Sequence, residues 1–182
     1  MPNYRRANTP GGTYFFTVVT EHRQPILTDD PVRTALRAAI DTTRCTHPFR
    51  IDAWALLPDH LHCIWTLPEG DANFGLRRAF IKRYVSGQCA AGMANTGPRS
   101  CSRTARGESG LWQRRFWEHE MRDEDDFQRH VDYIHWNPVK HGHVKEVAQW
   151  PYSTFHRYVR KGVYPADWGG PAQEGDDGCF GE

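Results

Sequence analysis

The stretch LPDHLHCIW, residues 57–65, sets a turn signal, Pro58-Asp59, in front of an apolar run that carries two histidines, His60 and His62. Phe49 to Leu57 before the turn and His60 to Leu67 after it have the composition of strands, so the stretch predicts an antiparallel hairpin. Side chains alternate across a strand. His60, His62 and Ile64 therefore share one face, and Leu61, Cys63 and Trp65 share the other, directed at helices. Along the strand the two imidazoles stand roughly 6–7 Å apart.

Working outward, TYFFTVVT at 13–20 follows Gly11-Gly12 and reads as an earlier strand. Asp30-Pro31 marks a helix start, and Val32, Leu36, Ala39 and Ile40 form its apolar stripe. After the hairpin, Asp71 or Asn73 caps a second helix with Phe74, Phe80, Ile81 and Tyr84 among its apolar positions. Residues 87–110 are rich in Gly, Ser, Arg and Ala without a period, and read as a mobile basic loop. Leu111 to Met121 is predicted as a fourth strand. Asp123 then opens a third helix with acids in its first turn and Phe127, Val131 and Ile134 as its stripe. Pro138 is expected to end that helix near Asn137. Ser153 caps a last short helix, and the acidic stretch 169–182 reads as a disordered tail. The order β-α-β-β-α-β followed by helices predicts an α+β protein: a ferredoxin-like antiparallel sheet with helices on one face, in a single domain over 1–168.

Composition narrows the class. A chain of 182 residues with 13% aromatics can bury a real core. Its longest early apolar run, Tyr14 to Val19, is too short for a signal peptide or a membrane span, so the reading is soluble and cytosolic. Five cysteines without CxxC spacing argue for reduced thiols, not a disulfide framework or a cysteine zinc site. The net charge of +1 hides segregation. From Arg77 to Arg115 nine basic residues face one acid, whereas Glu118 to Asp132 holds seven acids and two arginines. The basic segment suits a phosphate-rich partner, or equally a solvated face with a basic loop.

Two imidazoles on one face can converge on a metal ion, but they need a third ligand and positions left open for substrate. The plain alternative is a pair of satisfied polar residues on a half-exposed sheet. An amidohydrolase barrel needs about 250 residues. A zinc β-lactamase site wants Asp and His where Trp65-Thr66-Leu67-Pro68 stands, and a triple-histidine nucleotide hydrolase wants a histidine where Ile64 stands. What remains is a site completed by a distant segment, and the candidate is HVDYIHWNPVKHG, residues 130–142. Tyr133 and Asn137 are one helical turn apart, with Asp126 and His130 near the same stripe. Asn137 can bring an oxygen to the metal while Tyr133 meets a substrate. A phenol of ordinary pKa, about 10, is a poor nucleophile, but beside a cation that polarises a phosphoryl group it can attack phosphorus. Locally, a packing tyrosine and a helix-ending asparagine explain the same residues. His119 and His135 are neighbours without an assigned role.

LPDHLHCIWTLPEGD, WQRRFWEH and HVDYIHWNPVKHG, in that order, resemble the REP-associated tyrosine transposases, relatives of the small single-tyrosine HUH transposases (His, hydrophobic, His). The resemblance spans Tyr4 to Trp168 and includes GGTYFFTVVT and WPYSTFHRYV. It implies a metal-dependent endonuclease and strand transferase on single-stranded DNA, with Tyr133 as nucleophile and His60, His62 and Asn137 as metal ligands. The tyrosine helix would lie over the HUH site, with a C-terminal helical extension from Trp150. The implied reaction forms a covalent 5′-phosphotyrosine link, frees a 3′-hydroxyl, and reverses to join strands. The family implies Mg²⁺ or Mn²⁺, although two imidazoles alone point as readily to zinc or another transition metal. The implied partner is hairpin DNA, the repetitive extragenic palindromes with a tetranucleotide at the foot, in a cytoplasmic, nucleoid-associated setting without a membrane. Arg77, Arg78, Lys82 and Arg83 would grip phosphates from the second helix, with Arg114 and Arg115 in the same basic segment. An Arg5-Arg6 arm would reach a groove or the foot, and Trp112, Phe116 and Trp136 would stack on bases or pack in the core. The state is a monomer or a homodimer that exchanges tyrosine helices. A catalytically silent hairpin-binding regulator and a metal phosphoesterase using activated water are the competing readings.

Overall fold

Four strands make one antiparallel sheet in the order β2-β3-β1-β4: β1 Thr13–Val19, β2 Arg50–Leu56, β3 His60–Thr66 and β4 Trp117–Glu120. This computed structural model describes residues 8–89 and 110–170. Arg5 and Arg6, most of the basic loop and the acidic tail past Gly170 lie outside the described residues. The hairpin forms as expected, with the Leu57 amide donating to the His60 carbonyl at 2.8 Å across Pro58-Asp59. The Asp59 carbonyl accepts from both the amide and the hydroxyl of Thr20, which fixes the turn against the end of β1.

One face of the sheet is apolar. Tyr14, Phe16, Val18, Leu61, Cys63 and Trp65 pack there beneath α1 (Asp30–Thr46) and α2 (Phe74–Cys89), against Val32, Leu36, Ala39, Ile81 and Val85. Asn73 caps α2, its side-chain oxygen accepting from the Leu76 amide at 3.0 Å, and the helix runs past Gly87 to Cys89. The other face is not open, contrary to a half-exposed sheet. α3 (Glu124–Lys140) and α4 (Phe155–Arg160) cover it, packing Val131, Ile134 and Phe155 on Phe15, Ala53, Ala55 and Ile64. His60 and His62 are therefore only 2% and 0% exposed.

Two element boundaries differ from expectation. β4 is confined to Trp117–Glu120 instead of Leu111 to Met121. Leu111 and Trp112 are both buried in the α1/α2 core, which consecutive residues of one strand cannot be on a single face, so that stretch leaves the ladder and makes an isolated bridge to Thr20. α3 continues through Pro138 to Lys140. The proline removes one internal hydrogen bond, and the true stop comes at Gly142, whose φ of +70° closes the helix. There the amides of Gly142 and His143 donate to the carbonyls of Val139 and Pro138. Asp123 is the N-cap, as read, accepting from the Asp126 amide at 2.8 Å.

Candidate active site

α3 aims Asp126, His130, Tyr133 and Asn137 at the sheet because these residues recur on one side of the helix, and all four are buried. Its C-terminal half lies over β3. His60 Nε2 is 3.3 Å from Asn137 Oδ1. The rings of His60 and His62 meet edge-on with centroids 4.9 Å apart, and the Tyr133 ring is 5.2 Å from that of His62. The structure thus brings together His60, His62, Tyr133 and Asn137 from one chain.

Each imidazole is oriented through its other nitrogen. His60 Nδ1 is 2.6 Å from the Asp59 carboxylate, and His62 Nδ1 is 2.9 Å from the Thr17 hydroxyl. The ring atoms that could hold a cation are therefore the Nε2 atoms, with the Asn137 oxygen 3.3 Å from that of His60. Burial lowers the His60 pKa, with Asp59 only partly opposing it, so His60 is neutral and ligand-competent at neutral pH. The Asp59 carboxyl would be raised by burial, but hydrogen bonds from His60 and Arg23 bring it below its ordinary value. Two oriented imidazoles and an amide oxygen are a donor set that fits a divalent cation.

A second cluster sits at the other end of α3. The donor atoms of His119, Asp126 and His130 lie within 4.8 Å of one another, and are of a kind that divalent cations accept. His119 Nε2 is 2.7 Å from the Asp126 carboxylate, which also accepts from the Arg122 amide at 3.1 Å. His130 Nδ1 donates to the Asp126 carbonyl at 2.7 Å, and its ring stacks on His119 at 4.7 Å. Burial would raise the Asp126 pKa, but His119 and the Arg122 amide pull it below the ordinary value; burial lowers that of His130. With its carboxylate so engaged, the cluster ties β4 to the first turns of α3, one turn before Tyr133. Phe15 wedges between the two centres, within 5.6 Å of His62, 5.0 Å of His130 and 6.1 Å of Tyr133.

The basic residues divide. Arg77, expected to grip phosphate, is 1% exposed. Its guanidinium donates to the carbonyls of His47, Pro48 and Asn73 and to the Asp71 carboxylate at 2.6 Å, so it bolts α2 to the α1–β2 connection and leaves the DNA set. Lys82 donates to the Gln113 carbonyl at 2.8 Å. Arg78 lies over the Phe116 ring at 3.1 Å from its centroid. Arg83, Arg114 and Arg115 are exposed. Of the aromatics expected to meet bases, Trp112 is a core residue at 8% exposure, Phe116 packs on the same core, and Trp136 packs on the other.

Other contacts have no forerunner in the sequence reading. Asp59 reads there only as a turn residue, and Thr17 faces His62 only through the β1–β3 register. The His141 ring lies 5.0 Å from His60, one turn beyond Asn137, and Lys140 Nζ lies 5.2 Å from the Tyr133 ring. His135 turns to the other side of α3, 3.0 Å from the Thr154 hydroxyl and ringed by Phe155, Tyr158 and Tyr164. Segment 150–154 seals the β2 edge: the Leu56 amide donates to the Tyr152 carbonyl and Trp150 Nε1 to the Leu56 carbonyl. The C-terminal extension thereby holds α3 down on its own sheet.

No family model matches the chain. It is 46% identical over 170 residues to the REP-associated tyrosine transposase of Escherichia coli K12, covering 93% of this chain and 92% of that one. A relative of the same family name from Haemophilus influenzae is 45% identical over 175 residues, covering 93% and 94%. A solved structure, a REP-associated tyrosine transposase bound to a REP hairpin, superposes with a TM-score of 0.77 at 45% identity, over 97% of this chain and 96% of that one. These likenesses place the chain among the transposases. Within them, it belongs to the REP-associated tyrosine transposase family.

Proposed function

We propose that this chain cuts and rejoins single-stranded DNA beside REP-type hairpins through Tyr133, with a divalent cation, Mg²⁺ or Mn²⁺, held by His60, His62 and Asn137. What carries the reading is one juxtaposition: the Tyr133 ring 5.2 Å from His62, with the Asn137 oxygen 3.3 Å from His60 Nε2. The hairpin bound to the solved relative supports the choice of substrate.

In this mechanism the bound cation supplies Lewis-acid polarisation of the scissile phosphate. The Tyr133 phenol loses its proton and its oxygen attacks phosphorus. The bond to the 3′-oxygen breaks, and that oxygen takes up a proton to become a free 3′-hydroxyl. The 5′-phosphate stays on Tyr133 until another 3′-hydroxyl attacks it and restores the phenol, so no outside energy is consumed. Phe15 and the clamp of His119, Asp126 and His130 hold the tyrosine in register. Arg83, Arg114, Arg115 and the Arg5-Arg6 arm meet phosphates, together with Arg78 and Lys82 on α2. Because one chain supplies both the histidines and the tyrosine, a monomer suffices in a single cytoplasmic domain.

The test is a covalent-adduct assay on a labelled REP hairpin with a single-stranded flank. Tyr133→Phe is expected to abolish the adduct while leaving hairpin binding intact. EDTA should abolish it for the wild type, and Mg²⁺ or Mn²⁺ should restore it. Equal adduct from wild type and variant overturns the reading. Cleavage that survives Tyr133→Phe but is lost in His60→Ala points to activated water instead, and binding without cleavage by the wild type points to a silent regulator.

A further inference from the structure

Among the described residues only a few large hydrophobic side chains stay exposed. Leu76, Phe80 and Tyr84 line α2, which packs on the face of the sheet away from the histidines. Trp117 is different: it is 42% exposed and belongs to β4, at the edge of the sheet.

Register fixes where its ring points. Thr17 on β1 pairs with His62 on one side and with Trp117 on the other. Directly opposed residues of antiparallel strands share a face, so His62, Thr17 and Trp117 form one row across three strands. Thr17 is the residue whose hydroxyl orients His62. Two strand spacings put Trp117 about 10 Å from His62 along that row. α3 packs mainly on β2 and β3 and meets β4 at His119, while Trp117, two residues earlier on the same face, stays in solvent. Alternation sends Glu118 and Glu120 to the opposite face, while Arg114 and Arg115 stand exposed immediately before the strand. The β4 end of the row thus offers an indole, with two exposed arginines just before it in the chain, a combination suited to unpaired nucleotides through stacking and phosphate contact. An isolated exposed tryptophan is ordinary on a protein surface. One in the row of the histidine couple is placed for substrate.

We propose that Trp117 is the stacking platform for an unpaired base of the strand flanking the hairpin, next to the phosphodiester delivered to His60 and His62. The proposal rests on the reading that this face is where DNA is cut. Trp112 is buried in the core and Phe116 and Trp136 pack against theirs, whereas Trp117 is the most exposed aromatic side chain among the large hydrophobics of the described residues.

Binding is measured in a Tyr133→Phe background, so that no DNA is consumed, with two probes: a REP hairpin carrying a single-stranded extension at its foot, and the same hairpin trimmed blunt. Trp117→Ala should weaken binding of the extended hairpin about tenfold and leave the blunt hairpin unchanged, while Trp117→Phe keeps most of the affinity. Replacing the stacked nucleotide by an abasic one should bring wild type and Trp117→Ala to equal affinity. Equal weakening on both probes, or no weakening on either, overturns the proposal. A thermal melt confirms that the alanine variant is folded, as expected at an exposed edge position. Adduct formation by the Tyr133 protein on the extended hairpin is scored separately, so a failure of the cleavage reading is seen there and not mistaken for a failure at Trp117.

Discussion

The two faces of the sheet are built from the same strands and do opposite work. On one, Tyr14, Phe16, Leu61, Cys63 and Trp65 interlock with α1 and α2 in a predominantly apolar core. On the other, Phe15, Thr17, His60, His62 and His119 meet an α3 surface that contributes Asp126, His130, Tyr133 and Asn137. Burying those polar groups is costly unless they find partners, and several do: Thr17 for His62 Nδ1, Asp59 and Asn137 for His60, Asp126 for His119 and His130. The lesson is a division of labour at a period of two residues. The apolar face supplies the stability that lets the polar face hold groups where chemistry, not packing, selects them.

The largest effect should separate the faces outright. Phe16→Ala removes a fully buried ring from the apolar core and should cost about 3–5 kcal/mol of stability by urea denaturation. His62→Ala should cost less, about 1–2 kcal/mol, because it deletes a smaller side chain, while abolishing the DNA adduct. Comparable destabilisation by the two would erase the distinction.

Acidification should bear on the opposite side of α3, where His135 meets α4. Burial, reinforced by Arg157 and His156, lowers the His135 pKa from its ordinary 6.5 to about 3. The fold thus favours the neutral ring: its contribution is whole above pH 6.5 and drains as pH falls toward about 3. Near pH 4.5 the loss should be about 2–3 kcal/mol. His135→Gln should flatten the difference between urea midpoints measured at neutral and acid pH. A variant as acid-sensitive as the wild type would place the lability elsewhere.

The faces also differ in how far the sequence discloses them. LPDHLHCIW shows the hairpin, the alternation and the histidine couple, because a turn signal and a period of two are local properties. The element order and the Asp123 cap follow from similar local rules. That Tyr133 and Asn137 share a helix face is equally local, but that this face lands on His60 and His62 depends on how α3 crosses the sheet. What stayed hidden needs tertiary partners. Arg77 looks like a phosphate ligand until the carbonyls of His47 and Pro48 are seen to claim it. Trp112 looks like a base-stacking residue until its neighbour Leu111 turns with it into the core. Pro138 looks like a stop until the glycine after His141 proves to be one.

The sharpest probe of the polar face changes an atom and not a shape. Asp59 touches His60 only through Nδ1, at 2.6 Å, while Arg23 holds its other oxygen at 3.2 Å. Asp59→Asn keeps an acceptor in place but removes the negative charge that makes the imidazole a stronger donor toward a cation. Loss of such a partner weakens metal affinity about 10- to 100-fold. Thr17→Val removes a neutral partner from His62 and should weaken it less. Val18→Ala, one residue away but on the apolar face, should lower stability and leave affinity unchanged. Titration of the three variants with Mn²⁺ by calorimetry tests this order directly. If Val18→Ala disturbs the cation as much as Asp59→Asn, then the faces are mechanically coupled and strand alternation does not insulate chemistry from packing.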